Sequence, residues 1–251
     1  DSEKLHLSKI GDIKIKLHRP IEGKIKTCTI RRMPTGKWFA CFSVDMGDIP
    51  YPPWKNGSIV GIDVGLVSFA TLSNGEKIDN PRFFREDEKA LAKAQSKRDK
   101  LPKGSSPRRK ASHVVTRIHE RIVNRRSDFS NQVSRQLVNR FGVIAFEDLD
   151  IQNMLKNHHL AKSISDVAWG MLVKATESKA AYAGSKVVLV DPKYTSQMCS
   201  RCGMIVKKDL SERIHSCSEC GLTMDRDLNA AINILRLGMQ SVRKSDRSSV
   251  L

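Results

Sequence analysis

Seven residues stand out as able to act together, four cysteines and three acids. Cys199 and Cys202 form one Cys-x-x-Cys pair and Cys217 and Cys220 a second, with fourteen residues between the pairs and a glycine, Gly203 or Gly221, directly after each. Two such tight turns bring four thiolates together, which fills the tetrahedral shell of zinc and leaves no position for a catalytic water. A metal held this way is structural. The acids sit differently. Asp63 ends the apolar run Val60-Gly61-Ile62, Glu147 ends Val143-Ile144-Ala145-Phe146, and Asp227 opens the run from Leu228 to Ala231. If the three converge, their oxygens suit Mg²⁺ or Mn²⁺. Two such ions about 4 Å apart activate water and stabilise the leaving oxygen in phosphodiester hydrolysis. Each acid also has a plainer reading: Asp227 as a helix N-cap, Glu147 as a solvated loop acid, Asp63 as a turn residue before Gly65. Asp225 competes with Asp227, and Asp148 with Glu147. His215 reads as a surface residue rather than a ligand, and Cys28 and Cys41 as small core residues.

The elements that must position these residues are legible in the periodicity. Residues 12–45 alternate as three short antiparallel strands, with a turn at Met33-Pro34-Thr35-Gly36-Lys37. The proline-rich stretch from Ile49 to Trp54 is a linker. Strands follow at 59–63 and 67–72, then a hairpin turn at Ser73-Asn74-Gly75-Glu76, whose Asn-Gly suits positive φ at both central positions. The charged stretch from about 84 to 141 predicts two antiparallel helices, broken at 101–107 by two prolines and a glycine. Val114, Val115, Ile118, Ile122 and Phe129 are its core-facing positions. A buried strand is expected at 143–146. An amphipathic helix over 167–182 carries Ala168, Leu172, Ala175 and Lys179 on one stripe and stops at Gly184. A strand at 186–190 and a helix at 228–237 complete the set, and the Ser- and Arg-rich tail after Gly238 reads as disordered.

The net charge of +17, from 44 Lys and Arg against 27 Asp and Glu, favours a polyanionic partner. Arg117, Arg121 and Arg125 lie four apart and share a helix face, continued by Arg126 and by Arg108, Arg109 and Lys110 at the break. With acidic partners sparse around them, these seven read as a phosphate-tracking face. No run of about eighteen apolar residues offers a membrane span. The start at Asp1, without Met, reads as a cut into a longer chain. Trp169 reads as a packing residue, and no Ser/His/Asp order or Gly-rich nucleotide loop is present.

These residues resemble a family. Gly61-Ile62-Asp63-Val64-Gly65, Phe146-Glu147-Asp148-Leu149 and Asp225-Arg226-Asp227-Leu228-Asn229-Ala230-Ala231 are similar to the three RuvC-type motifs of transposon-encoded TnpB (OrfB) proteins. The paired cysteines stand between the second and third, where that family carries a zinc ribbon. Leu160 to Asp166 with Trp169-Gly170, and Val190-Asp191-Pro192 with Tyr194-Thr195-Ser196, are similar as well. The likeness runs from about 58 to 237. It implies an RNA-guided DNA endonuclease, akin to the type V CRISPR effectors and Fanzor proteins. Asp63, Glu147 and Asp227 would be its catalytic acids, with Mg²⁺ or Mn²⁺ and Zn²⁺ as cofactors and guide RNA and target DNA as partners. It also implies a cytoplasmic, nucleoid-associated site of action, with no membrane. A nuclease-idle nucleic-acid-binding module, or a transposase accessory protein, is the alternative.

The expected fold class is α/β: a ribonuclease-H-like mixed sheet with helices, an inserted zinc ribbon, and a small antiparallel β segment in front. The resemblance divides the chain into a wedge-like β segment and linker at 1–55, and a RuvC-like core at 56–194 with a helical insertion at about 84–141. A zinc ribbon at 195–224, the last motif and helix at 225–237, and a basic tail at 238–251 follow. Family members usually carry a recognition lobe and more of the wedge barrel ahead of these parts.

Overall fold

The computed structural model of the chain describes residues 4–47, 58–154, 156, 166–209 and 212–248. It forms two compact units, Asp1–Pro50 and Tyr51–Leu251. The first holds two antiparallel ribbons, β1 (Lys4–Leu7) with β2 (Gly11–Lys14) and β3 (Lys24–Arg32) with β4 (Trp38–Asp45). The β3–β4 turn closes as the Pro-Thr-Gly signal predicts: Met33 N–H donates to Lys37 O at 2.8 Å, and Gly36 takes φ +82°. The expected core role of Cys28 and Cys41 does not hold, for both are exposed on this ribbon. Among the described residues their sheet has two strands, β3 and β4.

The second unit is built on a five-stranded sheet in the order β7-β6-β5-β8-β9. The strands are β5 (Ile59–Val64), β6 (Ser68–Leu72), β7 (Lys77–Asp79), β8 (Val143–Glu147) and β9 (Lys186–Val190). β5, β6 and β7 run antiparallel, whereas β5, β8 and β9 are parallel neighbours, so the sheet is mixed. In the β6–β7 hairpin only Gly75 is left-handed (φ +91°); Asn74 is not, and the turn is a four-residue loop closed by Leu72 N–H to Glu76 O.

The helices of this unit are α1 (Phe83–Asp99), α2 (Ser106–Arg140), α3 (Ile151–Met154), α4 (Trp169–Ala183) and α5 (Arg226–Ser248). Ser105 caps α2 by accepting the Arg108 N–H, and Pro107 sits in the first turn, where a missing N–H costs nothing. Two sequence expectations fail in the helices. The buried stripe of α4 is Trp169, Leu172, Thr176 and Ala180, one step from the predicted set, and Lys179 instead reaches Asn131 and Ser134. The last helix does not stop at Gly238 but continues to Ser248.

Strand parity divides the core in two. Val60, Ile62, Ile144 and Phe146 face α2 and α4 with Leu137 and Leu172. The alternate residues Val143 and Ala145 face the other way, with Val188, Val190 and Ile234 of α5. α5 lies unusually close to the sheet. A Cβ on Gly61 would stand 2.2 Å from Ala231 O, and one on Gly238 2.6 Å from the Ala145 Cβ. Among the described residues no helix is long and apolar enough to cross a membrane.

Candidate active site and cysteine cluster

The parity of the sheet and the phase of α5 bring the three acids to one place. Ile62 pairs with Phe146 across the parallel β5–β8 ladder, so Asp63 and Glu147 emerge side by side at the carboxyl ends of adjacent strands. Both are two residues beyond positions that face α5, Gly61 and Ala145, and therefore share that face. Asp227 lies one helical turn before Ala231, whose carbonyl abuts Gly61. Two residues along the strand span about 6.6 Å, and four along the helix about 6 Å. The strand and the helix therefore keep step from the Gly61–Ala231 contact to the acids.

The electrostatics agree. Burial, then the carboxylates of Glu147 and Asp227, push the Asp63 carboxyl well above the usual carboxylate range, while Arg226 draws it back. Burial also raises Glu147, against the hydrogen bond that Thr195 Oγ1 gives its Oε1. Asp227 Oδ1 accepts from Arg226 Nε and Nη2 at 3.2 and 3.1 Å. Excess negative charge, held by oxygen donors at the edge of an apolar sheet, is an arrangement that a divalent cation relieves.

Asp225 and Asp227 are engaged differently. Asp225 Oδ1 accepts the backbone N–H groups of Asp227 and Leu228, both at 3.0 Å, and its Oδ2 pairs with Lys77 Nζ at 2.7 Å. Asp225 is thus the helix cap, which leaves the Asp227 carboxylate to the acid cluster. Asp148, the alternative to Glu147, is exposed.

The four cysteines meet as their spacing predicts, with all four Sγ atoms within 4.8 Å of one another. Cys199–Cys220 and Cys202–Cys217 each stand at 3.6 Å. That is far too long for a disulfide and close to the edge of about 3.8 Å expected for a tetrahedron of sulfurs around zinc. Burial raises the Cys199 thiol, but the N–H groups of Cys202 and Arg201, then His215, bring it to about 5. The N–H of Met204 lowers Cys202, yet burial and the neighbouring thiols leave it at about 12. A thiolate at Cys199 is favoured at the expense of Cys202 and Cys220, a conflict that a thiophilic cation such as zinc resolves. His215 is not the surface residue its sequence context suggested. It is fully buried, with Lys208 Nζ against its Nδ1. Its strand, Ile214–Ser216, is too short to carry a period from which burial could be read.

The basic helices are less free than expected. Arg121 pairs with Asp87, Arg125 with Glu86 at 2.6 Å, and Arg126 with Asp166 at 2.8 Å. Arg108 Nη1 donates to Leu101 O at 2.7 Å and Arg98 O at 3.2 Å, locking the α1–α2 turn. Acidic partners were not sparse; they stand on α1 and beside α4, distant in sequence. Arg109, Lys110 and Arg117 are exposed and form no ion pair among the described residues. Of the expected core positions on α2, Val115 and Ile122 are buried, but Val114 is 49% exposed.

The Arg126–Asp166 pair is nearly buried on both sides, at 14% and 6% exposure, and Asp166 Oδ1 also accepts the Phe84 N–H. Asp166→Ala leaves the guanidinium without its counterion and is expected to cost about 3–5 kcal/mol. A urea midpoint unchanged from wild type would contradict this. Residues 160–165, which precede Asp166 in the similar stretch, lie outside the described residues.

Sequence reasoning assigned no role to three buried polar residues: Thr195, which bonds to Glu147, and Asn229 and Asn233, which bond to the backbone of Thr195, Met198 and Ser200. The one available signal was two asparagines a helical turn apart among Ala230, Ala231 and Ile234.

Comparisons with known proteins bear on the whole unit. Residues 41–158 match the OrfB_IS605 family model, described as "Probable transposase", and residues 169–234 match the Cas12f1-like TNB domain. The chain is 40% identical over 239 residues to a "Putative RNA-guided DNA endonuclease" of Streptomyces pristinaespiralis, covering 94% of this chain and 59% of that protein. It is 29% identical over 254 residues to "Putative RNA-guided DNA endonuclease InsQ" of Escherichia coli K12, covering 95% and 63%. The chain thus spans about three fifths of the length of these relatives. In fold it is similar to the protein of a Cas12f1-sgRNA-target DNA complex, with TM-score 0.52 and 20% identity over 82% of this chain and 54% of that one.

Proposed function

We propose that this chain, a homologue of proteins named putative RNA-guided DNA endonucleases with an OrfB_IS605 match and a Cas12f1-like TNB match, is the catalytic portion of an RNA-guided DNA endonuclease. The observation that carries the reading is the convergence of Asp63, Glu147 and Asp227 from β5, β8 and α5, close enough for two of them to raise the Asp63 carboxyl. In this reading the mixed sheet is ribonuclease-H-like, and the three acids hold Mg²⁺ or Mn²⁺. A divalent cation bound there supplies Lewis acidity toward the scissile phosphate and a water of lowered pKa. Arg226 balances charge beside Asp227. The exposed Arg109, Lys110 and Arg117 remain as contacts to phosphates, whereas Arg108, Arg121, Arg125 and Arg126 hold the helical pair together. Guide RNA and target DNA are the partners that this reading requires.

The direct test is cleavage of end-labelled DNA with Mg²⁺, wild type against Asp63→Ala. Metal-dependent cutting lost in the variant is the expected result. Metal-dependent cutting retained at the wild-type rate would overturn the assignment.

The cysteine cluster, in the same reading, is a structural zinc site. One zinc per chain is expected by elemental analysis. Cys217→Ser is expected to abolish that zinc and open the ribbon to protease, because Cys217 is 2% exposed and packs with Cys199 and Leu222. Full zinc content in the variant would contradict the site.

A further inference from the structure

Between β9 and the first cysteine pair the chain crosses under the amino-terminal end of α5, and this strap is held more firmly than a connection needs to be. Asn229 Nδ2 donates to Met198 O at 2.8 Å, and its Oδ1 accepts the Ser200 N–H at 2.9 Å. Asn233 Nδ2 donates to Thr195 O at 2.9 Å and to Met198 O at 2.6 Å. Both asparagines are fully buried, and Arg236 adds a contact to Ser200 O. The strap begins with Tyr194 in the left-handed region, φ 66°, a conformation that a tyrosine adopts only when its surroundings impose it. The result is one defined position for Thr195. The residue is 2% exposed, its hydroxyl lies within reach of Pro192 O at 3.0 Å, and it donates to Glu147 Oε1.

Glu147 needs such a partner. It stands at the last residue of β8, where the strand ladder ends and a glutamate has three side-chain torsions free to turn. Asp63 and Asp227 reach the cluster on shorter side chains. A carboxylate that must present one oxygen to a cation gains from having its other oxygen fixed by a neighbour.

We propose that Thr195 is a positioning residue that orients Glu147 for cation binding, and that Asn229 and Asn233 hold the strap that carries it, joining the cysteine cluster to the acid site. The proposal rests on the reading of the three acids as a cation site. It predicts that the Thr195 hydroxyl, and not its methyl group, matters at the acids.

The test compares Thr195→Val, which keeps the shape and loses the hydroxyl, with Thr195→Ser, which keeps the hydroxyl and loses the methyl. Mn²⁺ affinity at the acids is measured by titration with electron paramagnetic resonance detection of the free ion, with zinc content and melting temperature recorded alongside. Thr195→Val is expected to weaken Mn²⁺ binding by about ten-fold or more with zinc content unchanged, and Thr195→Ser to lose less than that. A role confined to packing of the Thr195 methyl group gives the reverse order, because Val keeps that methyl and Ser loses it. Equal Mn²⁺ affinity in wild type and Thr195→Val, or tighter binding by Val than by Ser, overturns the proposal. If wild type itself shows no Mn²⁺ site that Asp63→Asn removes, the reading of the acids fails instead, and with it the basis of this one.

Discussion

Replacing Gly61 by alanine is expected to prevent the chain from reaching its native fold. The new Cβ would meet Ala231 O at 2.2 Å, Leu235 N at 2.3 Å and Leu235 Cα at 2.8 Å. These are backbone atoms of α5, so no side chain can turn aside to admit the methyl group. β5 cannot retreat either. It is the central strand, paired with β6 on one side and β8 on the other, and the Gly61 N–H is itself bound to Ser73 Oγ at 3.1 Å. Overpacking in a core that can adjust costs about 1–3 kcal/mol. Here α5 must lift off the sheet, which strips Ile234 from Val188 and Val190 and moves Asp227 away from Asp63. With total stability at the lower end of about 5–15 kcal/mol, a loss of about 5 kcal/mol or more leaves a substantially unfolded population. Circular dichroism and urea titration check this, and an unchanged midpoint would show that the helix is not seated as described. Gly238→Ala is a useful counterpart. Its clash is with the Ala145 side chain, so Ala145→Gly is expected to rescue it, whereas no such partner change rescues Gly61→Ala.

The second large effect is catalytic. Asp63→Asn preserves size and removes charge, and cleavage is expected to fall by about three orders of magnitude, the equivalent of about 4 kcal/mol of lost cation-assisted stabilisation. A pH dependence accompanies it. Burial and the neighbouring carboxylates raise Asp63, and burial raises Glu147, so both hold protons into a range where ordinary carboxyls are ionised. Cation binding requires those protons to leave, and the wild-type rate is therefore expected to climb with pH as the two groups ionise. The sign for stability is opposite. A carboxyl whose folded value lies above its unfolded one binds its proton more tightly in the native state. The stability that this gives the cation-free chain is present at low pH and is lost as pH rises from the unfolded value through the folded one. A cleavage rate that falls over the same range would contradict the raised values.

What could be read from the sequence, and what could not, follows from the range of the interactions. The strands around Asp63 and Glu147, the helix break at Pro102 to Pro107, and the cysteine spacing are set by neighbours within a few residues, and all appear in the structure. The convergence of the acids depends on strand parity and on the phase of α5, which Gly61 and Gly238 mark only once α5 is known to lie on the sheet. The division of labour between Asp225 and Asp227 depends on where α5 begins and on Lys77, 148 residues away. The arginines of α2 misled for the same reason. Their partners Asp87 and Asp166 are separated from them by 34 and 40 residues, so a face that looked unpaired in sequence is in part tied up in ion pairs with acids distant along the chain. His215 looked exposed because a three-residue strand carries no periodicity from which to read burial.

If Asp63, Glu147 and Asp227 form a single cation site, their mutual repulsion destabilises the cation-free chain. Thermal unfolding near neutral pH, with and without Mg²⁺, tests it most directly when wild type is compared with Asp63→Asn. The account predicts that the cation-free variant melts above wild type, by about 2–4 °C for each kcal/mol of repulsion removed. It also predicts that Mg²⁺ raises the wild-type melting temperature and leaves the variant unmoved. A variant that melts below wild type without the cation, and gains as much from Mg²⁺ as wild type does, would show that the acids do not share a site.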